Sequence, residues 1–316
     1  MPGSKDVQKV TISAKEVNMA TAHQTPSESR LRMKKIAVLT DFSRGTDTAL
    51  RYAAVFARTY GAGVVVAHAY ILPTAAFAAP EVSLTYEAME YQRQSLENRL
   101  RKQTETASLR DINCTTLLRA GACKDLLEDL SDADLIVVGT SGEAGLEKAA
   151  LGSSAETIFR SSAIPVLTVG PHCHCDGEGE ASIKTVLYAT DFSPGAKAAS
   201  PYALSIAKER QAELVLLHVK DDKDVPFSFE RTMASEEPLE KLRELATANK
   251  TICVVGFGRP DAVILEEARN REVDLIVIGA RGVGAFASVV SHFGGGTAYK
   301  VAAGADCPVL TIRDAS

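Results

Sequence analysis

The sequence has no apolar run approaching the roughly 20 residues that a membrane-spanning helix needs. Its N-terminus is polar and of mixed charge, without the apolar region of a secretory signal. The formal net charge is -5, so the chain also lacks the basic excess that drives general binding to nucleic acids or anionic membranes. These absences predict a cytoplasmic protein with neither nucleic acid nor membrane among its partners.

The six cysteines are mostly scattered, and their spacing lacks the regularity of a disulfide framework, which indicates reduced thiols in a cytosol. Four of them are expected to pack as small apolar residues in or beside core elements: Cys114, Cys123, Cys253 and Cys307. Catalytic signatures are also missing: there is no Ser-His-Asp spacing, no H-E-x-x-H and no Walker Gly-Lys-Ser/Thr. Fast hydrolysis of a nucleoside triphosphate is therefore not expected.

The length of 316 residues suits two α/β domains better than one, and a hydrophobic content of 46% is enough to form a real core. Residues 1–33 are rich in Ser, Thr, Lys and Glu without a sustained period, and we expect them to form a flexible extension. Met33 begins the first regular segment, so translation starting there is a further hypothesis, which the intact mass of the native protein would test.

Short apolar runs alternate with helical patterns after residue 33. Strands are predicted at 34–41, 64–69, 112–119, 134–139 and 165–169, and helices at 43–60, 86–107, 125–130 and 153–161. This alternation predicts an α/β fold with a parallel sheet, covered on both faces and joined by right-handed crossovers.

The pattern then repeats. Thr-Asp-Phe-Ser occurs identically at 40–43 and 190–193, and the Asp-Leu-Ile-Val strand at 134 returns at 274. The repeat of about 135 residues is one domain long, whereas solenoid units are shorter and more numerous. We therefore predict two doubly wound domains at 34–170 and 183–316, joined by a linker at 171–182.

A glycine-spaced loop follows the fourth strand. Gly139, Gly142, Gly152 and Ser153 have the spacing G-x2-G-x9-G-S, and Ser153 and Ser154 stand at a predicted helix start. Free backbone N–H groups and the positive end of a helix dipole at such a junction favour a phosphate group.

With its strand ending in Asp, its Asp-Leu-Ile-Val-Val-Gly strand and this loop, the chain resembles the universal stress protein family over both repeats. Nucleotide-binding members of that family carry G-x2-G-x9-G-[S/T]. The resemblance implies five parallel strands of order 3-2-1-4-5 in each domain. It also implies ATP binding where the loop is kept, and pairing of domains through their fifth strands. We expect Mg²⁺ or Mn²⁺ to accompany the ATP.

In a sheet of that order, the ligand crevice lies between strands 1 and 4, where Asp41 and Gly139 end their strands. Asp41 is expected to accept hydrogen bonds from ribose hydroxyls or base amino groups. The glycines are expected to let the backbone approach phosphates closely. In the alternative interpretation, Asp41 merely caps the following turn and the glycines only shape a loop.

The second domain keeps only the opening of the motif, in Asp191, Gly279 and Gly282. Counting back from Pro308 matches Gly295 to Gly152 and Gly296 to Ser153, with an insertion of about three residues. The glycines with Thr297 would form an anion-binding backbone nest, to which Arg281 would add charge. An adapted loop with no ligand is an equally open interpretation.

Two other groups of residues attract attention. The linker crowds possible metal ligands together, but without the two separated pairs of a structural zinc site, so we favour a solvated linker. These ligands are His172, Cys173, His174, Cys175 and Asp176. His68 and His218 end equivalent strands, and a half-buried structural role is expected for both.

Three hypotheses for function remain. The first is an ATP-binding stress-response or signalling module, in which nucleotide shifts loop populations and an unidentified regulatory protein is the partner. The second is a slow ATPase or nucleotidyl-transfer relative, which the lack of a base or nucleophile near the loop disfavours. The third is a nucleotide-free interaction scaffold. Duplication further suggests an intramolecular pseudo-dimer, with a homodimer possible.

Overall fold

The structure is a computed structural model of the whole chain. It describes residues 10–13, 31–71, 82–140, 151–173, 181–221, 228–246, 250–280 and 296–314. The contacts divide the chain into two compact units. The first unit is Met33–Ala181, and the second unit is Ser182–Ser316 together with Met1–Arg32.

The strands of the described residues are β1 (Val10–Ser13), β2 (Lys35–Leu39), β3 (Gly63–Tyr70), β4 (Cys114–Ala120), β5 (Leu135–Gly139), β6 (Val166–Val169), β7 (Thr185–Ala189), β8 (Glu213–Lys220), β9 (Thr251–Phe257), β10 (Leu275–Ala280) and β11 (Val309–Arg313). The α-helices are α1 (Arg44–Tyr60), α2 (Val82–Thr104), α3 (Leu126–Asp129), α4 (Ser153–Ser161), α5 (Pro194–Arg210), α6 (Ser228–Leu245), α7 (Pro260–Asn270) and α8 (Thr297–Gly304). Short 3-10 helices lie at Ala107–Leu109 and Cys123–Asp125.

The first unit contains a parallel sheet of order β4-β3-β2-β5-β6. Numbered within the unit, this is the predicted order 3-2-1-4-5. The apolar runs of β2 and β5 form its centre, and Ile36, Val38 and Ile136 are fully buried. Strands that are covered on both faces read as continuous apolar runs rather than alternating ones, which is why the sequence identified them correctly.

Helix α1 packs Leu50, Ala53 and Ala57 into this core. It ends at Gly61, whose left-handed φ of 70° suits a residue without a side chain. The helix thus reverses the chain into β3 within two residues.

The second unit repeats the order as β9-β8-β7-β10-β11, again with parallel pairing. Helix α5 begins at a Ser-Pro pair, which favours a helix start: the Ser193 side chain accepts a hydrogen bond from the Ala196 amide at 3.3 Å, and Pro194 occupies the first helical position. In the first unit, Ser43 is likewise the N-cap residue of α1, but its side chain makes no capping bond.

The second unit contains the five predicted parallel strands, and β1 adds a sixth strand, antiparallel to β9, that was not predicted. These four residues therefore also depart from the flexible extension expected for residues 1–33. Pairing with a strand some 240 positions away in sequence leaves no local pattern, and a four-residue strand is too short to show its own period.

Within the described residues, no helix combines the length and apolar character needed to cross a membrane.

Candidate functional site

The turn after β2 holds Asp41 in a fixed orientation. The Phe42 amide donates to the Thr40 hydroxyl at 2.9 Å, and the Ser43 amide donates to Asp41 Oδ1 at 2.9 Å. The Thr46 hydroxyl, in the first turn of α1, donates to the same Oδ1 at 3.2 Å. Asp41 is nevertheless exposed to solvent. The carboxylate thus caps the turn and remains accessible, so both interpretations of this residue are compatible with the geometry.

Phe42 adopts a left-handed φ of 62°, which is uncommon for a bulky residue. Its ring lies 4.5 Å from the His68 ring, centroid to centroid, and the Arg99 guanidinium carbon lies 4.0 Å from the Phe42 centroid. The aromatic ring is therefore held between an imidazole from β3 and a cation from α2. This cation–π contact escaped sequence reasoning, since Arg99 lies more than 50 residues downstream of Phe42.

His68 fastens the end of β3 to the end of β2, because its Nδ1 lies 2.7 Å from the Thr40 carbonyl oxygen. Burial lowers the pKa of His68; the bond to Thr40 opposes this shift, and the charge of Arg99 adds to it. The half-buried ring is thus favoured in its neutral form. A neutral imidazole that donates from Nδ1 serves as a structural clamp, as expected for this residue.

The second unit repeats the clamp. His218 Nδ1 lies 2.9 Å from the Thr190 carbonyl oxygen, and the Phe192 and His218 ring centroids are 4.8 Å apart. The Lys241 ammonium lies 5.5 Å from the Phe192 centroid. Both units therefore carry the same cation–Phe–His arrangement beside the strand-ending Asp.

Gly139 is favoured by close packing. A Cβ at this position would lie 3.1 Å from the backbone carbon and oxygen of Gly45 in the first turn of α1. At the equivalent Gly279, a Cβ would lie 2.3 Å from the Gly195 oxygen. The close approach of strand and helix thus explains both glycines without reference to a phosphate. Sequence reasoning missed the partner glycines, Gly45 and Gly195.

The start of α4 is docked at the end of β5. The Gly152 amide donates to the Thr140 carbonyl oxygen at 3.0 Å, and Gly152 is the N-cap residue of α4. Ser153 and Ser154 follow as the first helical residues, and both are exposed. Their amides belong to the four that a helix start leaves without an intrahelical partner. Gly142 lies outside the described residues, as does the rest of the loop at 141–150.

These groups meet at one end of the sheet. Leu39 of β2 lies beside Val138 of β5 in a parallel pair, so Asp41 and Thr140 follow at neighbouring strand ends. The structure therefore brings Asp41, Gly139, Gly152, Ser153 and Ser154 to the crevice at the topological switch point of the first unit.

Cys123 also reaches this crevice. The Ser154 side chain is hydrogen-bonded to the Cys123 thiol, and this contact joins the turn after β4 to the start of α4. Burial raises the pKa of Cys123, and the Ser154 bond opposes that shift. The sequence pointed to a small core residue here, because nothing local signals the contact with α4.

In the second unit, the Ser193 amide donates to Asp191 Oδ1 at 3.0 Å. Ala196 stands where the first unit has Thr46, so the hydroxyl bond to the carboxylate is lost. The buried Tyr188 hydroxyl instead donates to the Ala196 carbonyl oxygen at 2.5 Å. Asp191 is thus held less completely than its counterpart in the first unit.

The helix start of the second unit corrects the predicted alignment by one residue. Gly296 is the N-cap residue of α8, with φ -55° and ψ 169°, close to the -59° and 157° of Gly152. Thr297, rather than Gly296, therefore corresponds to Ser153. Counting back from Pro308 failed because α8, with 8 residues, is one residue shorter than α4, with 9. Arg281, Gly282 and Gly295 lie outside the described residues.

The possible metal ligands of the linker, for which we favoured a solvated segment without metal, are only partly described. His172 is exposed, whereas Cys173 is buried and its sulfur accepts a hydrogen bond from the Gly170 amide at 3.2 Å. His174, Cys175 and Asp176 fall outside the described residues. Elsewhere in the described part of the chain, no three His, Cys, Asp or Glu side chains are placed to hold a metal ion.

Comparison with known proteins identifies the fold and the family. The model of the universal stress protein family matches residues 33–170 and again 182–313. A universal stress protein of Thermus aquaticus is 38% identical over 138 residues, covering 41% of this chain and 98% of that protein. One of Mycolicibacterium smegmatis is 26% identical over 299 residues, covering 88% of this chain and 96% of that protein.

Among solved structures, a universal stress protein of Archaeoglobus fulgidus matches with a TM-score of 0.68 at 21% identity. The match covers 90% of this chain and 99% of that one, so the likeness of fold extends over both repeats. Two matches of the family model together span most of the 316 residues. The chain therefore belongs to the universal stress protein family, in a tandem form.

Proposed function

We propose that the first unit binds ATP in the crevice between the ends of β2 and β5. The observation that carries this proposal is the hydrogen bond of 3.0 Å from the Gly152 amide to the Thr140 oxygen. This bond holds the positive end of α4 at the end of β5, and β5 is the neighbour of β2, which Asp41 follows. A carboxylate and a helix start that face one crevice suit the two ends of a nucleotide.

The described residues fit the chemistry of that ligand. The exposed Asp41 carboxylate is an acceptor for ribose hydroxyls or a base amino group, and its orientation is already set by Ser43 and Thr46. The amides of Ser153 and Ser154 and the Ser153 hydroxyl supply donors for phosphate oxygens. Gly139 supports the site indirectly, because it lets β5 approach α1. Gly142, in the same motif, is proposed to bring the loop backbone close to the phosphates.

A divalent cation is proposed to accompany the phosphates, as Mg²⁺ or Mn²⁺. The hydroxyl oxygens of Ser153 and Ser154 are hard ligands of the kind these cations accept. When bound, the cation would neutralise phosphate charge. The two serines would orient the phosphates at the helix start.

The second unit is proposed as a weaker site. Gly296 and Thr297 form a helix start like that of the first unit, and a Cβ at Gly296 would meet no atom within 4 Å. Packing therefore does not require a glycine there. Asp191 and Gly279 occupy the remaining described positions, but the hydroxyl support for Asp191 is absent.

For the protein as a whole, we propose a nucleotide-dependent module of the stress response, in which ATP shifts the populations of the loops that reach a protein partner. Turnover is not part of the proposal. The test is to purify the protein, denature it, identify the released nucleotide per chain, and then measure hydrolysis. About one ATP per chain with negligible hydrolysis is expected. Multiple turnover would replace the proposal with a slow ATPase, and no binding on titration would replace it with a scaffold.

A further inference from the structure

The two units differ at one edge of their sheets. In the second unit, β1 lies against the edge strand β9, with Val10 opposite Val255 and Ile12 opposite Cys253. In the first unit, the equivalent edge strand is β4, which pairs with β3 on one side. Within the described residues, no strand pairs with the other side of β4.

The hydrogen-bonding groups on the open side of β4 follow from the pairing on its other side. The Val64 amide donates to the Asn113 oxygen, and the Gly121 amide donates to the Tyr70 oxygen, each at 2.9 Å. Odd-numbered residues from 113 to 121 therefore point their backbone groups toward β3. Since these groups alternate along a strand, the backbone groups of Thr116 and Leu118 point outward.

The same reasoning applies to β9. The Leu214 amide donates to the Lys250 oxygen and the Gly258 amide to the Lys220 oxygen, each at 2.9 Å, so Cys253 and Val255 point outward. Those are the residues that Ile12 and Val10 face. The matching positions on β4 are Thr116 for Cys253 and Leu118 for Val255, as the parallel registers with β3 and β8 show.

The open edge has the character of a pairing surface. Strand β4 contains no proline or glycine, and Thr115 and Thr116 are exposed. Its one charged residue, Arg119, is held by Asp129 at 3.3 Å. A cavity of about 420 Å³ lies beside its amino end, lined by residues that include Lys34, Val65, Asn113, Thr115, Leu117 and Leu130. Such an edge is a template for another strand unless it is protected.

We propose that the open edge of β4 is a docking site for an extended segment of a partner protein, bound as an antiparallel sixth strand. The partner segment is uncharged and β-branched at alternate positions, because Val10 and Ile12 show that chemistry on the equivalent edge of the same chain. Its two edge-facing residues would lie opposite Thr116 and Leu118, as Ile12 and Val10 lie opposite Cys253 and Val255. This mode of recognition draws affinity from main-chain hydrogen bonds.

The probe for the test is a synthetic peptide with the sequence of residues 7–16, titrated into the full-length protein. One bound peptide per chain is expected, because β1 already covers β9. N-methylation of the peptide at the amides of Val10 and Ile12 should weaken binding about tenfold or more, since it removes donors that face the edge. N-methylation at Thr11 and Ser13 should leave the affinity unchanged. Equal affinity of the two methylated peptides would overturn the proposal.

Protein variants locate the site independently. Thr116→Pro removes an outward N–H without touching the pairing with β3, so the variant should fold and bind no peptide; Thr116→Val should bind one. Ile12→Pro should detach β1 from β9, so that this variant binds two peptides per chain. The double variant Ile12→Pro with Thr116→Pro should bind one peptide per chain. A wild-type chain that binds none, or a Thr116→Pro chain that still binds one, contradicts the proposal.

Measuring the self-association of the full-length protein by sedimentation distinguishes docking of a partner protein at β4 from docking of a second copy of this chain. Sedimentation that is unaffected by Thr116→Pro supports a partner protein. Association that both Ile12→Pro and Thr116→Pro remove would show that a second copy fills the edge, and would overturn the assignment to a partner.

Discussion

The Thr46 hydroxyl donates a hydrogen bond of 3.2 Å to Oδ1 of Asp41 and itself lies 3.3 Å from the Thr40 hydroxyl. The carboxylate is therefore positioned by a chain of two hydroxyls that starts in a buried threonine at the end of β2. The second unit has Ala196 in place of Thr46, so this arrangement distinguishes two otherwise repeated strand ends.

We expect Thr46→Ala to weaken ATP binding about two- to tenfold, because one hydrogen bond at an exposed site contributes on the order of 0.5–1.5 kcal/mol. Thr46→Ser keeps the hydroxyl and should bind nearly as the wild type does. Isothermal titration with ATP measures both. Wild-type affinity in Thr46→Ala would show that the orientation of Asp41 is set without this bond.

Asp41→Ala and Gly142→Val should each abolish ATP binding by the first unit while leaving the fold intact. The first removes the acceptor for ribose or base, and the second places a branched side chain in the proposed phosphate loop. The matched control is Asp191→Ala, which changes only the second unit and should leave about one ATP per chain. Unchanged ATP affinity in both first-unit variants would contradict the assignment of the ATP site to the first unit.

Gly139→Ala should lower the free energy of unfolding by about 1–3 kcal/mol, because its Cβ would press on the backbone of Gly45. Gly279→Ala should be more damaging, since its Cβ would lie 2.3 Å from the Gly195 oxygen. Gly296→Ala is the control, with no atom within 4 Å and an ordinary φ. Urea unfolding compares the three. A Gly296→Ala variant as unstable as Gly279→Ala would contradict the packing argument.

Two histidines should make stability depend on pH. Burial lowers the pKa values of His68 and His218 in the folded protein, so below about 6.5 the unfolded state binds more protons than the folded state. Their contribution to stability is therefore complete above that value and lost as the pH falls through the lowered pKa values. His68→Gln with His218→Gln should flatten the dependence of the free energy of unfolding between pH 7 and 5.

The control for this effect is His68→Gln alone, which should flatten the dependence less than the double variant does. A double variant with the wild-type slope would show that carboxylates, rather than the two histidines, dominate this range of pH.

Sequence reasoning reached the strands and the repeat because buried parallel strands produce uninterrupted apolar runs, such as those of β2 and β5, whereas the strand order was implied by the family resemblance. The cap at Ser193 is equally local, since Ser followed by Pro favours a helix start. Periodicity and capping act over a few residues, and they can be read without knowing where the chain returns.

Other features depend on contacts between distant segments. The strand β1 pairs with β9, Arg99 lies over the ring of Phe42, and Cys123 is hydrogen-bonded to Ser154. The local sequence around these residues predicts none of these three contacts. The start of α8 could be aligned with that of α4 only from its observed N-cap residue. Because α8 is one residue shorter than α4, counting back from Pro308 gives a position that is wrong by one residue.

The sequence was sufficient for the family, the duplication and the composition of the first glycine-spaced loop, since these rest on residue types and spacing. The fold was needed to show that Gly139 serves helix–strand packing and that Asp41 is held by Thr46. It was also needed to show that the two sheets differ at one edge. These properties arise from distances between backbones that are brought together by folding, and spacing along the chain does not specify such distances.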